Sequence, residues 1–182
     1  MSELLVPGFG RPVLLCWGKM PRAQGLAAYV RDGCGAPCQP KFVGGCCEML
    51  VFKVCGVRQN LYVFSFYHNP DQDDWIFDSL LASMAAVQTE DIHASFLFAG
   101  DLNDNQEWIG TTTTNCYGVA DFDFITDSSC DQLVIGPNHA SGGTLDLLMT
   151  DVPDLVWVAV VALIGNSDHS TLLAVILMAQ AV

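Results

Sequence analysis

Two apolar runs near the C-terminus, residues 155–164 and 171–179, are separated by one polar string, Gly165-Asn166-Ser167-Asp168-His169-Ser170. A helix crossing a bilayer needs ~20 continuous apolar residues, so runs of ten and nine with this insert are too short to span. Buried β-strands account for them, because a strand covered on both faces reads as a continuous apolar stretch. A strand, a tight turn and a second strand place Asp168 and His169 side by side at a sheet edge, within reach of a hard cation or a phosphate. A plain hairpin is the alternative, since Asn, Ser and Asp favour turns through local hydrogen bonds.

Two further stretches bear on that choice. Phe96-Leu97-Phe98-Ala99-Gly100-Asp101-Leu102-Asn103 is a buried-strand pattern that ends in Gly-Asp-x-Asn. Gly143-Thr144-Leu145-Asp146-Leu147-Leu148 is strand-like with one carboxylate embedded between leucines. Burying Asp146 is costly without a partner. His169 is the natural one, because a carboxylate bonded to one imidazole nitrogen orients the ring and leaves the other nitrogen for proton chemistry.

Charge is distributed unevenly. Residues 1–58 hold all seven Lys and Arg against three acidic residues, a net +4, whereas residues 59–182 hold seventeen acidic and no basic residues, a net −17. Proteins that grip duplex DNA neutralise on the order of 6–10 phosphates with Lys and Arg. The acidic segment offers no such groups, so charge disfavours duplex binding. With 182 residues and 51% hydrophobic content, one large-cored domain is expected.

The eight cysteines include the adjacent pair Cys46-Cys47 and form no paired C-x-x-C pattern. They read as reduced, mostly buried thiols of an intracellular protein, nuclear or cytoplasmic, with a disulfide framework as the alternative. Residues 1–9 lack the basic start of a secretory signal.

In chain order, residues 12–17 could form a strand. The segments 25–31, 49–55 and 60–67 read as successive antiparallel strands of one sheet. Alternation puts Leu61, Val63 and Ser65 on one face and Tyr62, Phe64 and Phe66 on the other. Residues 70–87 form the clearest helix, with Asp71, Asp73 and Asp74 in its first turn and a stripe of Ile76, Leu80, Met84 and Val87. A strand at 95–99, a polar loop at 101–114 and a short helix at 119–125 come next. Strands at 132–135, 144–149, 155–163 and 172–178 complete the chain. His68, His93 and His139 read as surface or loop histidines, and Asp104, Asp121, Asp123 and Asp127 as solvated. Strands grouped around isolated helices suggest α+β, with two sheets packed face to face and helices outside.

Gly-Asp-Leu-Asn, then Thr-Leu-Asp, then Ser-Asp-His, in that order, resembles the endonuclease/exonuclease/phosphatase superfamily. The nearest likeness is to the apurinic-type endonuclease domain of non-LTR retrotransposons. Gly25-Leu26-Ala27-Ala28-Tyr29-Val30, Phe66-Tyr67-His68-Asn69-Pro70, Trp108-Ile109-Gly110 and Gly118-Val119-Ala120-Asp121-Phe122 also match. The likeness covers residues 20–182 and leaves 1–19 as an atypical N-terminal segment.

The resemblance implies a four-layered α/β/β/α sandwich of two mostly antiparallel sheets, with the site at one rim. It also implies roles. Asp101 activates water or ligates metal, Asn103 positions the nucleophile or phosphate, and Tyr67 approaches the scissile phosphate. Asp146 orients His169, Asp168 ligates metal, and His169 stabilises the phosphorane or shuttles a proton. The implied reaction is Mg²⁺- or Mn²⁺-assisted attack of water on a DNA phosphodiester, leaving 3′-hydroxyl and 5′-phosphate ends.

The family's opening strand with its metal-site Asn, its first helix, and the strand ending in Gln-Glu have no counterpart in residues 1–20. The copy therefore reads as truncated, its metal binding as weak and its activity as impaired or absent. A missing strand also leaves a sheet edge open to self-association. Two other readings stay open: an inactive remnant that acts as an acidic protein-binding module, and a phosphatase acting on a small substrate.

Overall fold

A computed structural model of the chain describes residues 13–15, 26–28, 48–56, 59–68, 75–103, 118–163 and 165–177. In the five-stranded sheet β4 (Asn60–Tyr67) is antiparallel to β3 (Glu48–Cys55) and parallel to the central strand, β5 (Ala94–Asp101). The parallel pair follows from the helix between them, α1 (Trp75–Glu90), because parallel neighbours need a crossover connection. Next to β5 lies β7 (Asp146–Thr150), antiparallel to it, and the two-residue β6 (Asp131–Gln132) pairs antiparallel with β7 at the edge, which gives the order β3-β4-β5-β7-β6.

The alternation expected of β4 decides which core each residue enters. Tyr62, Phe64 and Phe66 join Phe96, Phe98, Leu147 and Met149 under the helices. The stripe Ile76, Leu80, Met84 and Val87 of α1 covers them, with Phe124 and Ile125 of α2 (Gly118–Ser128). Leu61 and Val63 face the opposite core with Leu97 and Leu148.

That second core is closed by a hairpin of β8 (Val156–Leu163) and β9 (Ser170–Ile176), entered through a 3-10 turn at Pro153–Leu155. Val158, Val160, Leu172, Ala174 and Ile176 point inward from it. The result is an α+β sandwich of two sheets, with both described helices on one outer side. Among the described residues no helix covers the hairpin's outer face, where Trp157 is 59% exposed and Leu173 48%.

Several sequence expectations shift. The segment near 25–31 supplies β2 (Leu26–Ala28), which pairs with β1 (Val13–Leu15) rather than with β3. Its link to β3 is long and rich in Gly, Pro and Cys, and sequence neighbours pair reliably only across short connections. α1 runs on to Glu90 and α2 to Ser128. The strand at 132–135 shrinks to two paired residues because the Gln132 side chain brackets Val134, accepting from its N–H and donating to its carbonyl. That local bonding takes the place of the ladder.

The domain boundary at 19/20, Asn69-Pro70, the helix start at 70–74, Trp108-Ile109-Gly110, Asp104 and six of the cysteines lie outside the described residues. Of the other two, both free, Cys55 is exposed and Cys130 is buried, and burial pushes the Cys130 thiol up to about 11. No helix among the described residues is long and apolar enough to cross a membrane.

One polar knot ties the end of α1 to the sheet. Asp91 Oδ2 accepts from Asn60 Nδ2 at 2.6 Å and from Lys53 Nζ and Tyr62 Oη at 3.3 Å. The Asn60 hydrogen bond, aided by Lys53, outweighs desolvation and holds the Asp91 carboxyl below its ordinary 3.8. We expect Asp91→Ala to cost about 1–2 kcal/mol at pH 7. A depressed carboxylate stabilises the fold above its unfolded value and loses that contribution as pH falls through the folded one. The gap between Asp91→Ala and the parent in urea unfolding should therefore narrow on going from pH 7 to pH 3. A gap independent of pH would show that the charge is not the source.

Candidate functional site

The site grows from the C-terminal end of β5. Gly100 is required just before it, because a Cβ there would collide with the Phe66 carbonyl and ring. Asp101 then stands opposite Tyr67 of β4 on one side and Asp146 of β7 on the other, so the three residues form a row across the end of the sheet. Asn103 turns the chain away with φ of 52°.

Asn103 laces this corner together. Its backbone N–H donates to Asp101 Oδ1 at 2.9 Å, and its side-chain Nδ2 donates to the His68 carbonyl at 2.9 Å. His68 N–H donates in turn to the Asp101 carbonyl at 2.8 Å, and His68 Nδ1 meets the Leu102 carbonyl at 3.1 Å. His68 thus braces the loop, and Asn103 spends its amide on the protein itself.

Two carboxylates facing each other across a ladder repel. His169, at the turn before β9, relieves this: its Nδ1 lies 2.8 Å from Asp146 Oδ2, and its Nε2 lies 4.0 Å from Asp101 Oδ2. Desolvation opposes charge on the ring. The hydrogen bond donated to Asp146 and the fields of Asp146, Asp101 and Asp168 win, and raise its pKa above the ordinary 6.5. Burial raises the Asp101 pKa, opposed by the Asn103 amide and reinforced by Asp146.

Asp168 lies on the outer side of His169 and is 71% exposed. Its carboxylate sits 3.3 Å from Nε2 of His139, and its own backbone N–H together with that imidazole holds its pKa low. The four residues Asp101, Asp146, Asp168 and His169 thus meet at one rim. They do so as two groups that share His169: Asp101 with Asp146, and Asp168 with His139.

Two contributors are illegible in the sequence. His139, read as a surface or loop residue, forms an isolated bridge with His169, and their rings meet edge to face with centroids 4.7 Å apart. Asn138, fully buried, accepts from the backbone N–H groups of Leu145 and Asp146 at Oδ1 and donates to the Asp146 carbonyl. Its own carbonyl accepts from Ser170 N–H at 2.7 Å. One side chain and one carbonyl therefore clamp the strand bearing Asp146 to the turn bearing His169. An Asn-His pair before two glycines reads as an ordinary loop, and only the contact with residues 168–170 gives it meaning. His93, by contrast, is exposed in a turn, and Asp123 and Asp127 are exposed as expected.

Beside the rim a cleft of about 470 Å³ runs between the sheets, with Tyr67, Asp101, Asp146 and His169 at one end and Leu97 and Leu172 among its apolar walls. Mg²⁺ demands near-octahedral oxygen ligands. Asp101 Oδ1 accepts from the Asn103 amide and Asp146 Oδ2 from His169, so each carboxylate has one oxygen that makes neither of these bonds and is left for a ligand.

No protein-family model matches the sequence, and no curated protein does. Among solved structures the chain is similar to the endonuclease domain of TRAS1, a telomere-specific non-LTR retrotransposon. The TM-score is 0.70 and the identity 14%, over 91% of this chain and 80% of that one. It is also similar to the Haemophilus ducreyi cytolethal distending toxin, with a TM-score of 0.52 and 12% identity, over 84% of this chain and 62% of that one. At such identities the likeness speaks to architecture. By its two-sheet sandwich and by these structural neighbours, the chain has the endonuclease/exonuclease/phosphatase type of fold.

Proposed function

We propose that this chain is an endonuclease-like domain of the retrotransposon type, built for hydrolysis of DNA phosphodiesters but nicking DNA extremely slowly or not at all. The observation that carries the chemistry is His169 held at Nδ1 by Asp146, with Asp101 beside its Nε2. In the reaction, Asp101 accepts a proton from water as the water oxygen bonds to phosphorus. His169, kept charged by its carboxylate neighbours, stabilises the phosphorane. The P–O3′ bond then breaks as the leaving O3′ takes a proton from the His169 imidazolium, which leaves 3′-hydroxyl and 5′-phosphate ends. Tyr67 stands next to Asp101 in the row, and its part would be to contact the scissile phosphate.

The weakness of the activity rests on two features. Mg²⁺ or Mn²⁺, which would supply Lewis-acid charge stabilisation when bound, finds few free oxygens here and binds weakly. Phosphates approaching the segment of net charge −17 also meet repulsion that a Debye length of about 8 Å at physiological salt only partly screens.

The check is a nicking assay on supercoiled DNA at low salt with Mg²⁺ or Mn²⁺, comparing the parent with His169→Ala. We expect little or no nicking by either. Robust nicking abolished by the substitution would overturn the impaired-activity half of the proposal and confirm the chemistry.

The charge imbalance favours a second reading, an inactive acidic module that binds basic proteins. A phosphatase acting on a small phosphorylated substrate is the third, since it avoids duplex binding. Self-association belongs to the same proposal: among the described strands, β8 and β9 pair only with each other and leave edges able to accept a strand. Sedimentation across a concentration series would measure it.

A further inference from the structure

We propose that His139, Asp168 and His169 form a binding site for a borderline divalent cation of the Zn²⁺ class, one that shares Asp168 with the hard-cation site implied by the resemblance but completes it with two imidazoles instead of Asp101. Each of the three residues offers a ligand atom, and these atoms lie within 4.8 Å of one another. Ligands of a tetrahedral zinc at ~2.0–2.2 Å sit about 3.4 Å apart, so closing the set takes side-chain rotation on the order of 1 Å. Two imidazoles and one carboxylate match the preference of Zn²⁺, Co²⁺ or Ni²⁺ and mismatch that of Mg²⁺.

The surroundings are those of a held site. Main-chain bonds from Ala140 N–H to the Asp168 carbonyl at 2.8 Å and from Ser170 N–H to the Asn138 carbonyl at 2.7 Å fix the two ligand-bearing loops against each other. Each ring also has an oxygen at its inner nitrogen: Asp146 Oδ2 at 2.8 Å from His169 Nδ1, and Ser141 Oγ at 2.6 Å from His139 Nδ1. Metal-bound histidines characteristically donate their second N–H to such an oxygen, which orients the ring and leaves Nε2 to the ion. A further carboxylate oxygen, Asp101 Oδ2, lies 4.0 Å from His169 Nε2.

Binding also sets a tautomer. Ser141 N–H points at His139 Nδ1 from 3.1 Å, so without a metal Nδ1 is placed to accept and Nε2 to donate to Asp168. With an ion on Nε2, the ring proton moves to Nδ1 and is donated to Ser141 Oγ, at the cost of the bond from Ser141 N–H. Occupation also removes His169 Nε2 from any phosphate, so a Zn²⁺-class ion would inhibit the hydrolysis proposed above. The binding itself does not depend on that reading.

The test uses the full, folded chain with its accessible thiols alkylated, so that exposed cysteines such as Cys55 do not compete. Zn²⁺ affinity is measured by calorimetry, and the imidazole nitrogens are followed by ¹⁵N-resolved long-range NMR. We expect one equivalent of Zn²⁺ to shift the Nε2 signals of His139 and His169, convert His139 to the Nδ1–H tautomer and leave His93 unchanged, with no response to Mg²⁺. His139→Ala and Asp168→Asn should each weaken binding at least tenfold. Asp168 is exposed, so its substitution does not endanger the fold and decides the matter even if His139→Ala proves unstable. Zn²⁺ that shifts neither ring, or binds Asp168→Asn as tightly as the parent, would overturn the site. Nicking activity enters neither outcome, so failure here is separable from failure of the hydrolytic reading.

Discussion

Asn138→Ala should cost on the order of 3 kcal/mol of folding stability, one of the two largest single-residue losses expected in this chain. Its side chain satisfies the N–H groups of Leu145 and Asp146 and the Asp146 carbonyl, at a position with 0% exposure. Truncation leaves those groups facing alanine in a place water does not reach, and each buried unpaired group costs about 1–3 kcal/mol before relaxation. For a domain of this size the loss corresponds to a fall in Tm of roughly 6–12 °C. Amide exchange at Leu145 and Asp146 should accelerate together. With the clamp gone, Asp146 should drift from His169, and the His169 pKa should fall back toward its ordinary value. Asn138→Asp keeps the acceptor but sets a carboxylate against the Asp146 carbonyl, so it should not rescue. A loss under about 1 kcal/mol with unchanged exchange would mean that the clamp is incidental.

Phe98→Ala should cost about 3–5 kcal/mol by a different route, the loss of a large buried ring and the cavity left behind. Phe98 is fully buried and joins both sides of the helix-side core. Its ring centroid lies 4.9 Å from that of Phe64 in β4 and 5.2 Å, edge to face, from that of Phe124 in α2. Aromatic pairs in such geometries add about 0.5–1.5 kcal/mol beyond area burial. Urea unfolding should show the loss, with Phe98→Leu retaining most of the stability. Because Leu97 and Asp101 sit on the same strand, the pairing of His169 with Asp146 should persist in the surviving folded fraction. A small effect of Phe98→Ala would mean that α2 is not packed on the sheet as described.

The sequence by itself determined the elements whose physics is local. Period-2 alternation in 60–67 assigned Tyr62, Phe64 and Phe66 to one core and Leu61 and Val63 to the other, and the 3.6-residue stripe from Ile76 to Val87 chose the buried face of α1. An aspartate between two leucines required a partner, and the Asp168-His169 string after an apolar run supplied one.

Only the tertiary structure decided the rest. Whether β2 pairs with β1 or with β3 depends on closure of a long connection, which alternation does not encode. The two-residue length of β6 follows from a side chain replacing a ladder bond. His139 and Asn138 acquired roles through main-chain contacts with a turn some thirty residues downstream, and no periodicity marks a residue whose partners are backbone atoms of another loop. Burial patterns are written in the order of side chains along one strand or helix, whereas a site at a rim is written in which loops meet there.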